Sequence, residues 1–230
     1  MPVVSAAVCP HPPLLVPELA GGAAAELEDL RAACLAAINQ LADADSLVIV
    51  GSGPATATRY DASAGGSFGP YGAPGVRVGS GPDVLPLSLT VGAWLVDQSK
   101  AAGLPRTSLT VAADETPAAC LELGQEIAHG TDRVALLVMG DGSPRRSEHS
   151  PVHLHPRAEL FDSTVAAALA LADTETLAAL DPDLAEELHA AGRAPWQVLA
   201  GATTTAGLRG HLDYHAAPYG VGYFVATWTL

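Results

Sequence analysis

The chain reads as an α/β protein: one three-layer domain over residues 1–230, with a largely parallel central sheet flanked by helices. Three observations predict this. Short apolar runs of strand length alternate with longer segments at helical spacing. The runs Val3–Val8, Leu47–Val50, Ser108–Val111 and Val134–Met139 read as buried strands of one sheet. With 230 residues there is enough chain for one full core, while a second domain would be cramped.

The elements follow in order. After Val3–Val8 comes a helical segment over 23–42, then the strand Leu47–Val50. A glycine- and proline-rich stretch, Gly51–Pro86, reads as a long irregular loop. The helix over 86–102 carries Leu87, Val91, Trp94 and Leu95 on one face at helical spacing. Ser108–Val111 leads to a helix over 117–129, opened by Thr116-Pro117, an N-cap residue followed by proline in the first turn. Val134–Met139 runs into a second long loop, Gly140–Pro156. Helices fill 157–206, with Ala166–Ala172 rich in alanine and Asp181-Pro182 as a further start signal. The final strand, Gly220–Trp228, alternates less cleanly and belongs at or near the sheet edge. In such a sheet, sites gather at the carboxyl ends of the strands. Both long loops start there, where functional loops are expected.

Composition narrows the function. The chain is 49% hydrophobic, with a mean hydropathy of +0.25, as in a globular protein. Its net charge of −14 argues against nucleic acid, which needs clustered Lys and Arg. Arg133, Arg145, Arg146 and Arg157 nevertheless fall close together. No apolar run approaches the roughly 20 residues of a membrane span, and no basic segment opens a signal peptide, so a cytoplasmic location is expected. Cys9, Cys34 and Cys120 lack zinc-type spacing and read as small buried apolar residues. A hydrolase is discounted because Gly51-Ser52-Gly53 lacks the nucleophile elbow. A Walker motif is absent, since Lys100 is the only lysine.

Cys9-Pro10-His11-Pro12-Pro13 is the most informative stretch. It follows the first strand, and its prolines fix φ and hold the imidazole of His11 at the strand end. A histidine placed so rigidly suits a metal ligand or a general base. This segment with Leu15-Val16-Pro17-Glu18, then Val138-Met139-Gly140-Asp141-Gly142-Ser143, then Pro218-Tyr219-Gly220-Val221-Gly222-Tyr223, resembles in order the LigB-type (class III) extradiol dioxygenase family. Memo-like proteins, also of that family, share the fold without ring cleavage. The resemblance implies a LigB-like fold, an Fe(II) site of two histidines and one carboxylate, a further acid/base histidine, and frequent oligomers.

Residue by residue, the implied site is degenerate. His11 keeps the first ligand position. Ser52 stands where the second histidine belongs, and Pro144-Arg145 where the acid/base histidine belongs. Arg193, in Ala191-Gly192-Arg193, stands in place of the metal-binding glutamate. No metal is therefore expected at the standard site. The pocket would instead have changed sign, with Ser52, Ser143, Arg145, Arg146 and Arg193 binding a small, anionic ligand. Fe(II) or Zn(II) could still be held by a rearranged set drawn from His11, Asp141, His153 and His155 on the loop that also carries His149. His215 would approach as a catalytic residue with His11 and Asp141. His129 and His189 read as helix-terminal residues without chemistry. Three readings follow: a diverged ligand-binding protein, an active non-haem iron dioxygenase with a rearranged site, and a non-catalytic scaffold. A small-molecule ligand and a homo-oligomer are the expected partners; nucleic acid and membrane are not.

Overall fold

A computed structural model describes residues 3–130 and 132–230. In chain order the elements are β1 (Val3–Cys9), α1 (Pro17–Ala20), α2 (Glu28–Asn39), β2 (Ser46–Ser52), β3 (Arg59–Tyr60), β4 (Gly66–Phe68), β5 (Ala73–Val78), α3 (Leu87–Asp97), β6 (Arg106–Val111), α4 (Pro117–Ala128), β7 (Val134–Met139), α5 (Ala158–Leu171), α6 (Thr174–Ala178), α7 (Pro182–Glu187), α8 (Arg193–Thr203), β8 (Arg209–Ala216) and β9 (Tyr223–Thr229). Seven strands form one mixed sheet in the order β3-β6-β2-β7-β1-β9-β8. Its middle, β6-β2-β7-β1, is parallel; β3 and β9 flank it antiparallel, and β8 pairs antiparallel with β9 and so runs with the middle strands. The molecule is thus α/β, with helices on both faces of the sheet.

The four strands read as continuous apolar runs are the parallel core. All six residues of β7 are buried, as expected of a strand covered on both sides. One face packs under α4, α5 and α8, the other under α2, α3 and the β4–β5 hairpin. Where α4 crosses α8, the backbones touch. A Cβ on Gly124 would lie 2.1 Å from the Val198 carbonyl oxygen, and one on Gly201 would lie 2.2 Å from that of Leu121. Only glycine permits that crossing. The Thr116 hydroxyl accepts the Ala119 N–H at 3.2 Å and Pro117 opens the first turn, so α4 begins where the capping signal puts it.

Three expectations need correction. The helix expected over 23–42 is α-helical only from Glu28, because Gly21–Leu27 winds as a tighter 3-10 turn. The Gly51–Pro86 stretch is an ordered excursion containing β3 and the β4–β5 hairpin. The last strand lies near the sheet edge as expected, but it spans Tyr223–Thr229, and the edge itself is β8, which was not foreseen. Among the described residues, no helix is long and apolar enough to cross a membrane.

Candidate functional site

The site is built where β1 and β7 leave the sheet together. Their parallel register runs to Cys9 opposite Met139, and the Gly140 N–H donates to the Cys9 carbonyl at 3.0 Å, extending the pairing. Asp141 Oδ1 then accepts the backbone N–H of His11 at 2.8 Å, and the imidazole Nδ1 of His11 lies 3.8 Å from the same oxygen. The Gly192 N–H donates to the Asp141 carbonyl at 2.8 Å, tying the entry of α8 to the pair. That approach requires Gly140, whose Cβ would fall 2.7 Å from the Gly192 Cα.

His11 and Asp141 are mostly enclosed, with side chains 10% and 17% exposed. Yet His11 Nδ1 has no hydrogen-bond partner. A buried polar atom left unpaired costs about 1–3 kcal/mol, and His11 Nδ1 shares that state with Arg146 Nε, Arg193 Nε and Trp196 Nε1. Tyr223, at the start of β9, adds a buried phenol. Burial raises its pKa, and the Asp141 charge pushes it further in the same direction, so it stays protonated as a donor.

Among the described residues, Ser143, Arg145, Arg146 and Arg193 make their hydrogen bonds elsewhere than to this pair. Ser52 ends β2, and its carbonyl accepts the Ser88 hydroxyl at 2.6 Å. Its neighbours Gly51 and Gly53 have no room for side chains, since a Cβ would meet Ser88 Oγ at 2.6 Å or Thr110 Cγ2 at 2.4 Å. Ser143 is buried and donates its hydroxyl to the Leu188 carbonyl at 2.7 Å. Arg145 spans the His153 carbonyl (2.8 Å) and the Glu187 carbonyl (2.7 Å). Arg146 pairs with Asp162 at 2.8 Å.

Arg193, 2% exposed, donates to the carbonyls of Glu115 (2.6 Å) and Ala113 and to Gln197 Oε1 (2.9 Å). It stitches α8 to the β6–α4 turn rather than opening beside His11. A cavity of about 670 Å³ that it helps to line also carries Asp114, Asp183 and Glu186, the wrong sign for an anion. The three arginines are therefore structural, and the expected cationic pocket is not assembled.

The rearranged metal set is not assembled either. His155 Nε2 pairs with Glu187 at 2.8 Å, while its Nδ1 accepts the Arg157 N–H at 3.2 Å. His215 stacks on Phe224 with ring centroids 4.9 Å apart. Among the described residues, no three His, Cys, Asp or Glu side chains converge to hold a metal ion.

Asp162 is the residue that sequence reasoning missed. It is fully buried on α5, accepting the Ser143 N–H at 3.0 Å through Oδ1 and Arg146 through Oδ2. Gly142 and Gly222 leave it space, since a Cβ on either would collide with its carboxylate. The signal was present: an aspartate at a core-facing position among Ala158, Phe161, Val165 and Leu169.

His215 and Asp162 shift in opposite senses. Partial burial lowers the His215 pKa and the Arg146 charge lowers it further, against the opposing charge of Asp162. The unfolded chain therefore takes up a proton first, and stability falls as pH drops through the ordinary histidine range near 6.5. Burial raises the Asp162 pKa, so its contribution runs the other way and declines as pH rises through that value. We expect His215→Phe to flatten the fall in melting temperature between about pH 7 and pH 5. An unchanged slope in thermal melts would contradict this.

No protein-family model and no curated protein matches the chain. The crystal structure of an uncharacterized protein from Escherichia coli K12 does match. Its TM-score is 0.59 at 17% identity, over 99% of this chain and 100% of that one. The likeness is one of fold. It places the whole α/β arrangement, from β1 to β9, in a fold seen in a solved structure.

Proposed function

We propose that this chain is a diverged LigB-type protein, one domain throughout, that binds a small hydroxylated aromatic molecule at His11 and Asp141 without iron-dependent ring cleavage. The supporting sequence features are the His-Pro-Pro strand end, the Gly-Asp-Gly-Ser turn and the Gly-Val-Gly-Tyr segment, which come together around this pair. The single observation that carries the reading is the unpaired, buried Nδ1 of His11 beside a carboxylate at the carboxyl ends of two parallel strands.

An extradiol iron centre asks for two imidazoles and a carboxylate on one cation. The residues present do not fit it: the resemblance puts Ser52 in the place of the second histidine, and in that of the glutamate Arg193, a cation whose guanidinium donates to the Glu115 carbonyl and Gln197 Oε1. No step of the proposed role runs through iron. In its neutral form, His11 Nδ1 accepts the hydrogen bond of a ring hydroxyl. Asp141 stabilises positive charge on the imidazole if the proton moves across. Because Arg145, Arg146 and Arg193 are engaged within the protein, the ligand is better taken as uncharged than as anionic.

Catechol serves as the probe. Calorimetric titration should show binding to the wild type and a loss of about tenfold or more in affinity for His11→Ala, the worth of one hydrogen bond to a group that can charge. Equal affinity for both would refute the assignment.

A further inference from the structure

α5 carries a second surface with no role in the site. Its inner face, with Phe161, Val165 and Leu169, is buried, and the Trp228 indole N–H donates to the Leu169 carbonyl at 2.8 Å, pinning the helix to the sheet. Its outer face presents Leu160, Ser163, Thr164, Ala167 and Leu171, which recur at helical spacing. Leu160 is 71% exposed and Leu171 76%. From Leu160 to Leu171 the only charged residue is the buried Asp162, so this face shows solvent three turns without a charge. A surface helix of a soluble chain ordinarily turns its charged residues outward.

We propose that the outer face of α5 is the contact through which two copies of this chain form a weak, antiparallel, two-fold dimer. The pattern on the helix is self-complementary. Leu160 and Leu171 lie symmetrically about Val165 and Ala166, so an antiparallel crossing there sets Leu160 of one copy against Leu171 of the other, twice over. Small side chains at Ser163, Thr164 and Ala167 occupy the crossing and let the helices approach.

The ends carry charge of both signs, Arg157 and the 81% exposed Glu159 before Leu160, and Asp173 after Leu171. Arg157 precedes the helix, with its side chain 52% exposed beside Glu187, and Asp173 follows it at nearly the same distance from the centre. Two-fold packing brings each Arg157 toward the partner's Asp173 and opposes the two helix dipoles. A groove beside Leu171, lined by Thr164, Ala168, Asp173 and Thr176, has about 370 Å³ for the incoming leucine. One helix face buries less than the roughly 1,200–2,000 Å² of a stable complex, so the dimer is weak and dissociates on dilution. The high negative charge of each copy adds to that weakness.

Sedimentation equilibrium over micromolar to millimolar chain concentration tests this. We expect reversible dimers in the wild type, and a dissociation constant at least about tenfold higher in Leu171→Glu and in Leu160→Glu. Both sites are exposed, so circular dichroism should stay unchanged. Arg157→Glu should weaken the dimer, and adding Asp173→Arg should recover part of the loss. A chain that stays monomeric to millimolar concentration overturns the proposal. So does a dimer indifferent to both leucine substitutions.

Discussion

Asp162→Ala is expected to lower stability by about 3–5 kcal/mol, because it strands a mostly buried guanidinium and a buried backbone N–H. Arg146, its side chain 14% exposed, has Asp162 as its close partner at 2.8 Å, with Glu159 at 3.9 Å. The Ser143 N–H loses its acceptor. In a chain of this size, that is a fall of about 10 °C in melting temperature.

The loss reaches the site, because Ser143 sits two residues beyond Asp141 in the same turn. Gly142 and Gly222 are held to each other there through Gly142 N–H to the Gly222 carbonyl (2.7 Å) and Gly222 N–H to the Ser143 carbonyl (3.0 Å). The double variant Asp162→Ala/Arg146→Leu should recover part of the stability, since it removes the stranded charge as well. Urea denaturation measures both. A single variant as stable as the wild type would show that the carboxylate does not anchor the loop.

Arg193→Glu should cost about 5 kcal/mol or more, within reach of the whole stability of an ordinary domain. The guanidinium donates to two carbonyl oxygens and an amide oxygen. A glutamate there would face the same acceptors with a buried negative charge and nothing to donate. Burial is already severe enough at this spot to push the neighbouring Cys120 thiol up to about 11 in spite of the Arg193 charge. We expect Arg193→Met to be better tolerated than Arg193→Glu, because it leaves orphaned acceptors without adding charge. A stable Arg193→Glu chain that takes up iron would refute the structural role given to this arginine.

How much could be read from the sequence depended on whether the determining contacts were local. The strands β1, β2 and β7 announce themselves because burial on both faces leaves them largely apolar, and β6 shows through its β-branched Thr107, Thr110 and Val111 around Leu109. The edge strand β8 does not. The exposed Arg209, His211, Asp213 and His215 alternate with Gly210, Leu212, Tyr214 and Ala216, which are only half buried, so its apolar signal is faint. The short strands β3, β4 and β5 hide in a glycine-rich stretch, where β3 pairs with the distant β6 and β4 pairs only with β5.

Of the candidate pair, His11 was singled out by its proline-fixed place at a strand end, and Asp141 by the resemblance of the segment Val138–Ser143 to the family's turn. The fates of Arg145, Arg146 and Arg193 were not legible. Two of these arginines bind backbone carbonyls 42 or more residues away in sequence, at Glu187, Ala113 and Glu115, and no residue identity records a carbonyl. Reading the arginines as a cationic pocket treated them as unpartnered, and the fold supplies partners from within.

The measurement that bears most directly on the central claim is catechol titration into the chain, untreated and after exhaustive chelation, followed by calorimetry. If His11 and Asp141 form a protein-only site, the affinity and heat are the same in both preparations. Binding that vanishes on chelation and returns only with Fe(II) would contradict the account and restore an iron centre to this fold.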